Sequence, residues 1–112
     1  MKAVISLLAL GLMASPALAE TKSFNDVSVI DVMCSKKAAA SPDAHTRACA
    51  LQCAGSGYGI LTSDGKFLKF DSEGNSKIAE ELKASKKTDH LRVNVSGDVE
   101  GDTLKVASLQ LL

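Results

Sequence analysis

The sequence predicts an all-β protein with short helices, a five-stranded Greek-key barrel like the OB-fold. Three observations predict it. Five segments have the composition of β-strands, and a helix-forming segment separates the third from the fourth. Asp64-Gly65, between two β-prone runs, is a strong hairpin signal. A further helix, which carries cysteines, is predicted between the first and second strands.

The first 19 residues have the pattern of a cleaved export signal. Lys2 precedes an apolar run that ends at Met13, and positions 17–19 read A-L-A, a motif that signal peptidase recognises. The apolar run is too short for a permanent membrane helix. We therefore expect cleavage before Glu20, export to the bacterial periplasm, and a single domain over residues 20–112.

Alternation of apolar and polar residues, with many β-branched side chains, marks the predicted strands. The predicted strands are 24–34, 59–62, 66–70, 91–96 and 103–112. In the last strand the apolar positions change parity between Val106 and Leu109. A β-bulge near Ala107 or Ser108 would reconcile the two halves of that strand.

Capping residues place the two helices. The first is predicted over 42–54, because Ser41 is a good N-cap, Pro42 suits the first turn and Gly55 suits a C-cap. The second is predicted from a cap at position 75 or 76 to about position 84, with an apolar stripe on one face.

Three cysteines and one histidine carry the distinctive chemistry. In a regular helix His45, Cys49 and Cys53 fall at i, i+4 and i+8 and share one face, while Cys34 ends the first strand. Thiolate and imidazole suit zinc or copper as ligands. His45 and Cys53 would be roughly 12 Å apart along a regular helix, so all four residues could not bind one ion. Two residues one turn apart, His45 with Cys49 or Cys49 with Cys53, could bind one ion together.

Other roles for these residues stay open. An oxidising compartment favours a disulfide between Cys34 and either Cys49 or Cys53, with the third thiol free. A thiol beside His45 could act in redox chemistry, but the sequence has no C-x-x-C motif and no recognisable residue to orient the imidazole. The predicted function is an exported binding module that takes zinc or copper. The alternatives are a disulfide-stapled structural or protein-interaction domain and, second, a thiol redox protein; an enzyme is not favoured.

The charge of the chain limits its partners. The sequence has 13 basic and 13 acidic residues, so its formal net charge is zero. A nucleic-acid partner is not expected, because such proteins carry a basic surface. We expect a monomer that binds a protein or a small ligand, without membrane attachment after signal cleavage.

The cysteine and glycine motifs resemble those of a group of small exported bacterial OB-fold-like proteins. The similar segments are a strand ending V-x-D-V-x-C at Cys34, then H-x-x-x-C-A-x-x-C over 45–53, then G-x-L-T-x-D-G-K over 59–66. The resemblance implies an OB-like fold and an exported location. It also suggests a metal or thiol site at the cysteines and the histidine.

Overall fold

A computed structural model of the chain describes residues 20–112. The predicted export signal over 1–19 lies outside the described residues. The strands are β1 (Glu20–Asp31), β2 (Tyr58–Leu61), β3 (Phe67–Phe70), β4 (Arg92–Glu100) and β5 (Thr103–Leu111). The α-helices are α1 (Ser35–Ala38), α2 (Arg47–Gln52) and α3 (Ser72–Ala84), and the 3₁₀ turns are Val32–Cys34, Pro42–Ala44 and Ala54–Ser56. None of the helices described here is both long and apolar enough to cross a membrane.

The strands close into a barrel in the order β1-β2-β3-β5-β4. All neighbouring strands are antiparallel except β3 and β5, which are parallel. The long strand β1 closes the barrel, because its first part pairs with β4 and its last part, from Ser28, pairs with β2. The pairing with β4 is irregular between Phe24 and Val27, where Asp26 has φ 54°. The prediction of a five-stranded all-β barrel is confirmed.

A β-bulge lies in β5. Ser96 of β4 pairs with Ser108, but the next residue, Gly97, pairs with Val106, so Ala107 is an extra residue without a partner on β4. This bulge lets Leu104 and Val106 on one side of it, and Leu109 on the other, all pack against the core. The bulge predicted from the change of parity is confirmed.

The core lies between the barrel strands and the apolar face of α3. Ile78 and Leu82, one helical turn apart, are fully buried. Helix α3 begins earlier than the sequence predicts, at an N-cap formed by Asp71, whose carboxylate accepts from the Gly74 N–H (3.1 Å). The buried apolar residues of the core are Val29, Ala50, Tyr58, Ile60, Leu68, Phe70, Ile78, Leu82, Leu91, Val93, Val95, Leu104 and Val106.

Side chains at the start of and within α3 bond to one edge of β5. Among the described strands, β3 pairs with β5 only at Thr103 and Leu104. Beyond that point Asp71 Oδ1 accepts from the Val106 N–H (3.1 Å) and Glu81 Oε1 accepts from the Leu111 N–H (3.0 Å). Lys77 Nζ donates to the carbonyl oxygen of Ala107 (3.3 Å). These contacts supply hydrogen bonds that a neighbouring strand would otherwise make.

Candidate metal centre

The segment between β1 and β2 does not form the single helix predicted over 42–54. His45 has an extended backbone (φ −71°, ψ 127°) and separates the turn Pro42–Ala44 from α2. Thr46 is the N-cap of α2, and its hydroxyl accepts from the Cys49 N–H (3.1 Å). Cys53 is the C-cap of the same short helix. The prediction that His45, Cys49 and Cys53 share one helical face is therefore wrong.

Two long-range contacts hold the chain just before this break and at it. The guanidinium of Arg92 donates to both carboxylate oxygens of Asp43 (3.0 and 3.1 Å), and it holds the pKa of that carboxyl below its usual range. The imidazole of His45 lies with Nε2 2.6 Å from Asp31 Oδ1. We attribute the break in the helix to these contacts. They join residues that are distant in the sequence, and intrinsic helix propensity does not include such contacts.

The ends of β1 and α2 bring three candidate metal ligands together. A carboxylate oxygen of Asp31 and the Sγ atoms of Cys34 and Cys53 all lie within 4.8 Å of one another. Asp31 is fully buried, whereas both cysteines are partly exposed. We call these three residues the thiol–carboxylate cluster. Its donor atoms are those that bind zinc in proteins, and its thiolates also suit copper.

The two turns that carry the thiols are tied to each other. The Val32 N–H donates to the carbonyl oxygen of Gly57 (2.8 Å). The Met33 N–H donates to Ser56 Oγ (3.1 Å). Both contacts join the turn that ends at Cys34 to the turn that follows Cys53, so they hold the backbones that carry the two thiols side by side.

Asp31 is the central residue of the cluster. Its Oδ2 accepts from the Cys34 N–H (3.0 Å), and its Oδ1 is the partner of His45 Nε2. An ionised carboxylate can only accept, so Nε2 of His45 is then the donor in that bond. Sequence reasoning missed Asp31. The available signal was the spacing D-V-M-C, in which an aspartate three residues ahead can cap a turn.

The pKa of the Cys34 thiol is raised from 9.0 to about 11. The main cause is its side-chain hydrogen bond with Asp31, and partial burial and the nearby charges of Asp31 and Cys53 add to it. The folded protein therefore favours the protonated thiol. A metal ion that binds Cys34 must displace this proton, so binding becomes more favourable as pH rises.

We expect Cys34 to be alkylated by iodoacetamide much more slowly than Cys49 in the metal-free protein at pH 9, because the thiolate is the reactive form. The rate should rise until about pH 11. The same proton stabilises the folded state below pH 9, and this contribution is lost as pH rises through about 11. Mass spectrometry of each cysteine peptide measures the rates. Equal rates at pH 9 would contradict the expectation.

The remaining predicted site residues lie beside the cluster rather than in it. Cys49 is exposed and is not among the three clustered ligands. His45 contacts the carboxylate of Asp31. A separate cleft of about 270 Å³ is lined by both of these residues and by Cys34. The structure thus groups Cys34 with Cys53 in the cluster and leaves Cys49 outside it, on the cleft that Cys49 shares with Cys34 and His45.

Cys34, Cys49 and Cys53 are all free thiols in the described chain, and no two of them are at disulfide distance, so the disulfide stays a prediction. Bonded sulfur atoms are about 2.05 Å apart. Of the two partners considered for Cys34, only Cys53 belongs to the same cluster, with its Sγ within 4.8 Å.

A larger cavity of about 700 Å³ lies along the stretch 22–28 of β1 and the hairpin between β2 and β3. It shares no lining residue with the thiol–carboxylate cluster. We identify the candidate site by the chemistry of its side chains, since metal ions need grouped ligands rather than a large volume.

The described chain is a small closed β-barrel with a thiol–carboxylate cluster formed by the last residue of β1 and two cysteines in the connection to β2. Protein-family models, curated proteins and solved structures were all compared with this chain, and none matches it.

Proposed function

We propose that this protein is an exported binding module that takes up a soft metal ion, zinc or copper, through Cys34, Cys53 and Asp31. The observation that carries the proposal is that the three ligand atoms lie within 4.8 Å of one another. Two thiolates about 2.3 Å from a tetrahedral zinc ion are about 3.8 Å apart. Side-chain adjustments of about 1 Å would therefore be enough to close the site around an ion.

In this proposal His45 has a different role from the one predicted. Carboxylates that bind metals are themselves held by hydrogen bonds from outer residues. His45 Nε2 lies 2.6 Å from Asp31 Oδ1 and has only 8% of its side chain exposed. It is therefore suited to orient the carboxylate. Cys49 takes no part in binding.

The donor set limits which metals fit. Two thiolates favour soft or borderline ions, whereas magnesium and calcium prefer sites made of oxygen atoms. The carboxylate of Asp31 suits zinc, and the thiolates of Cys34 and Cys53 suit both zinc and copper(I). We therefore propose these two metals and exclude the hard divalent ions.

The fold and the sequence support a binding module outside the cytoplasm. We propose that the barrel is of the OB-fold type, with the cluster in the connection between strands 1 and 2, which borders the usual binding face of that fold. The leader pattern over 1–19 supports export to the periplasm. The zero net charge supports a protein or small-ligand partner and gives no reason to expect a nucleic acid.

A disulfide-stapled domain is the second candidate. The proximity of the Cys34 and Cys53 thiols favours it, since a bond between them would tie α2 to the end of β1. In this candidate the two thiols are oxidised to a disulfide, whereas metal binding needs both of them reduced. Protein purified from the exporting host with this pair permanently oxidised, and with no bound metal, would favour the second candidate.

The test is a competition titration of the fully reduced protein with zinc and with copper(I), in the wild type and in three serine variants. We expect the wild type to bind one ion. Cys34→Ser and Cys53→Ser should each lower the affinity at least about 100-fold, since loss of a ligand exceeds the loss caused by an outer residue. Cys49→Ser is the matched control and should bind like the wild type.

Two results would reject this site. A reduced wild-type protein that binds neither metal would reject metal binding altogether. A loss of affinity in Cys49→Ser that Cys53→Ser does not share would instead place the ion at the His45 and Cys49 pair predicted from the sequence. Circular dichroism of each variant checks that the barrel is folded.

A further inference from the structure

We infer that Cys34 and Cys53 form a redox switch on the metal site: oxidation to a disulfide expels the metal, and reduction restores binding. This inference rests on the proposed function and adds how metal binding is regulated. It also selects Cys53 over Cys49 as the partner of Cys34.

The geometry allows the bond to form without rebuilding the barrel. The two Sγ atoms, within 4.8 Å, must approach to about 2.05 Å. Cys34 is the last residue of a 3₁₀ turn and Cys53 is the C-cap of α2, so neither thiol lies inside a long regular element. The Val32 N–H bond to Gly57 already holds these turns side by side. Closing the bond therefore moves two side chains and the turn ends that carry them, all of which lie outside the barrel strands.

Access to the thiols also fits a switch. Both cysteines are partly exposed, so a small oxidant can reach them, whereas Asp31 behind them is fully buried. Cys49 is more exposed but stands outside the cluster. Exposure alone would favour oxidation of Cys49, and proximity favours the bond between Cys34 and Cys53.

The metal-bound and oxidised states exclude each other. A metal site of this kind needs the two thiolates as its anionic sulfur ligands. Once the sulfurs are bonded to each other they carry no thiolate charge, and of the three clustered ligands only the Asp31 carboxylate remains. A single carboxylate that is also bonded to His45 does not retain a soft metal ion.

The reaction balances with a peroxide as the oxidant. One thiolate attacks an oxygen of hydrogen peroxide, the O–O bond breaks, and hydroxide leaves to give a sulfenic acid. The second thiolate attacks that sulfur, the S–S bond forms, and the hydroxyl leaves. Two protons from solvent convert both hydroxides to water. Two electrons pass from sulfur to oxygen, and the ion leaves hydrated.

The test treats the zinc-loaded protein, as purified from the exporting host, with hydrogen peroxide in the presence of a coloured zinc chelator. We expect one zinc ion to be released for each pair of thiols lost, with a chain two hydrogens lighter. Peptide mapping should find Cys34 linked to Cys53. Reduction with a phosphine should return the thiols and the zinc binding, and Cys49→Ser should behave like the wild type.

The outcomes separate this inference from the proposed function. Zinc that stays bound after the Cys34–Cys53 bond has formed overturns the switch and leaves metal binding intact. A disulfide that involves Cys49, or oxidation to sulfinic acid without a bond, also overturns the switch. A reduced protein with three reactive thiols that binds neither zinc nor copper(I) overturns the proposed function, and the switch with it.

Discussion

Replacing Asp31 with alanine is expected to lower the free energy of unfolding by about 2 to 4 kcal/mol and to abolish metal binding. The carboxylate is fully buried, accepts from the Cys34 N–H and contacts His45 Nε2. Alanine leaves the Cys34 N–H and His45 Nε2 without this partner. An unpaired polar group costs about 1 to 3 kcal/mol when buried, and we expect the lower half of that range for each group because both contacts are only partly buried. Urea denaturation measures the first effect and a zinc competition titration measures the second.

Asp31→Asn is the matched control for this prediction. Asparagine has nearly the same size and keeps an oxygen that accepts from the Cys34 N–H, but it carries no charge. We expect it to be more stable than Asp31→Ala, and we expect the pKa of Cys34 to fall from about 11 toward its ordinary value. A wild-type unfolding midpoint for Asp31→Ala would show that the contacts of this carboxylate with the Cys34 N–H and with His45 do not stabilise the fold.

Gly97→Ala is expected to destabilise the barrel by about 3 kcal/mol or more. Gly97 is buried in β4 where the register shifts beside the bulge of β5. A β-carbon there would overlap the carbonyl oxygen of Lys105 and would lie 2.8 Å from its carbonyl carbon. These are backbone atoms of a paired strand, so they cannot rotate away. Overpacking of this kind usually costs about 1 to 3 kcal/mol, and more when the backbone must move.

Gly55→Ala is the control, because it adds the same methyl group where no other atom lies within 4 Å. Its effect should stay within about 0.5 kcal/mol. Chemical denaturation of both variants in parallel measures the difference between them. If Gly97→Ala were as stable as Gly55→Ala, the close approach of β4 and β5 at the bulge would be wrong.

The parts of the fold that could be predicted are those set by neighbouring residues. Asp64-Gly65 specifies a hairpin locally, and the change of parity between Val106 and Leu109 specifies the bulge. The start of α3 could not be read in this way. Gly74 is typical of a helix break, yet it lies in the first turn of α3. A β-carbon at this position would lie 2.5 Å from a methyl carbon of Val106, so the packing there favours glycine. Only the packed structure shows this close contact.

The candidate site was predicted in part. Its thiol chemistry is visible in the sequence, but the grouping of Cys34 with Cys53 depends on where α2 ends. The i, i+4, i+8 spacing brings His45, Cys49 and Cys53 to one face only in a single regular helix. That helix is broken at His45, whose partner lies 14 residues away, and near Asp43, whose partner lies 49 residues away. Ser41 and Thr46 are both good N-cap residues, and the sequence alone does not show at which of them the helix begins.

The way that α3 covers β5 has a consequence for aggregation. Asp71, Lys77 and Glu81 satisfy backbone groups that would otherwise form an open strand edge. A chain in which the barrel has formed but α3 has not yet docked would expose that edge, together with the apolar core surface against which Ile78 and Leu82 pack. Exposed edges of this kind pair readily with other chains. The docking of α3 is therefore the folding step that protects this protein from self-association.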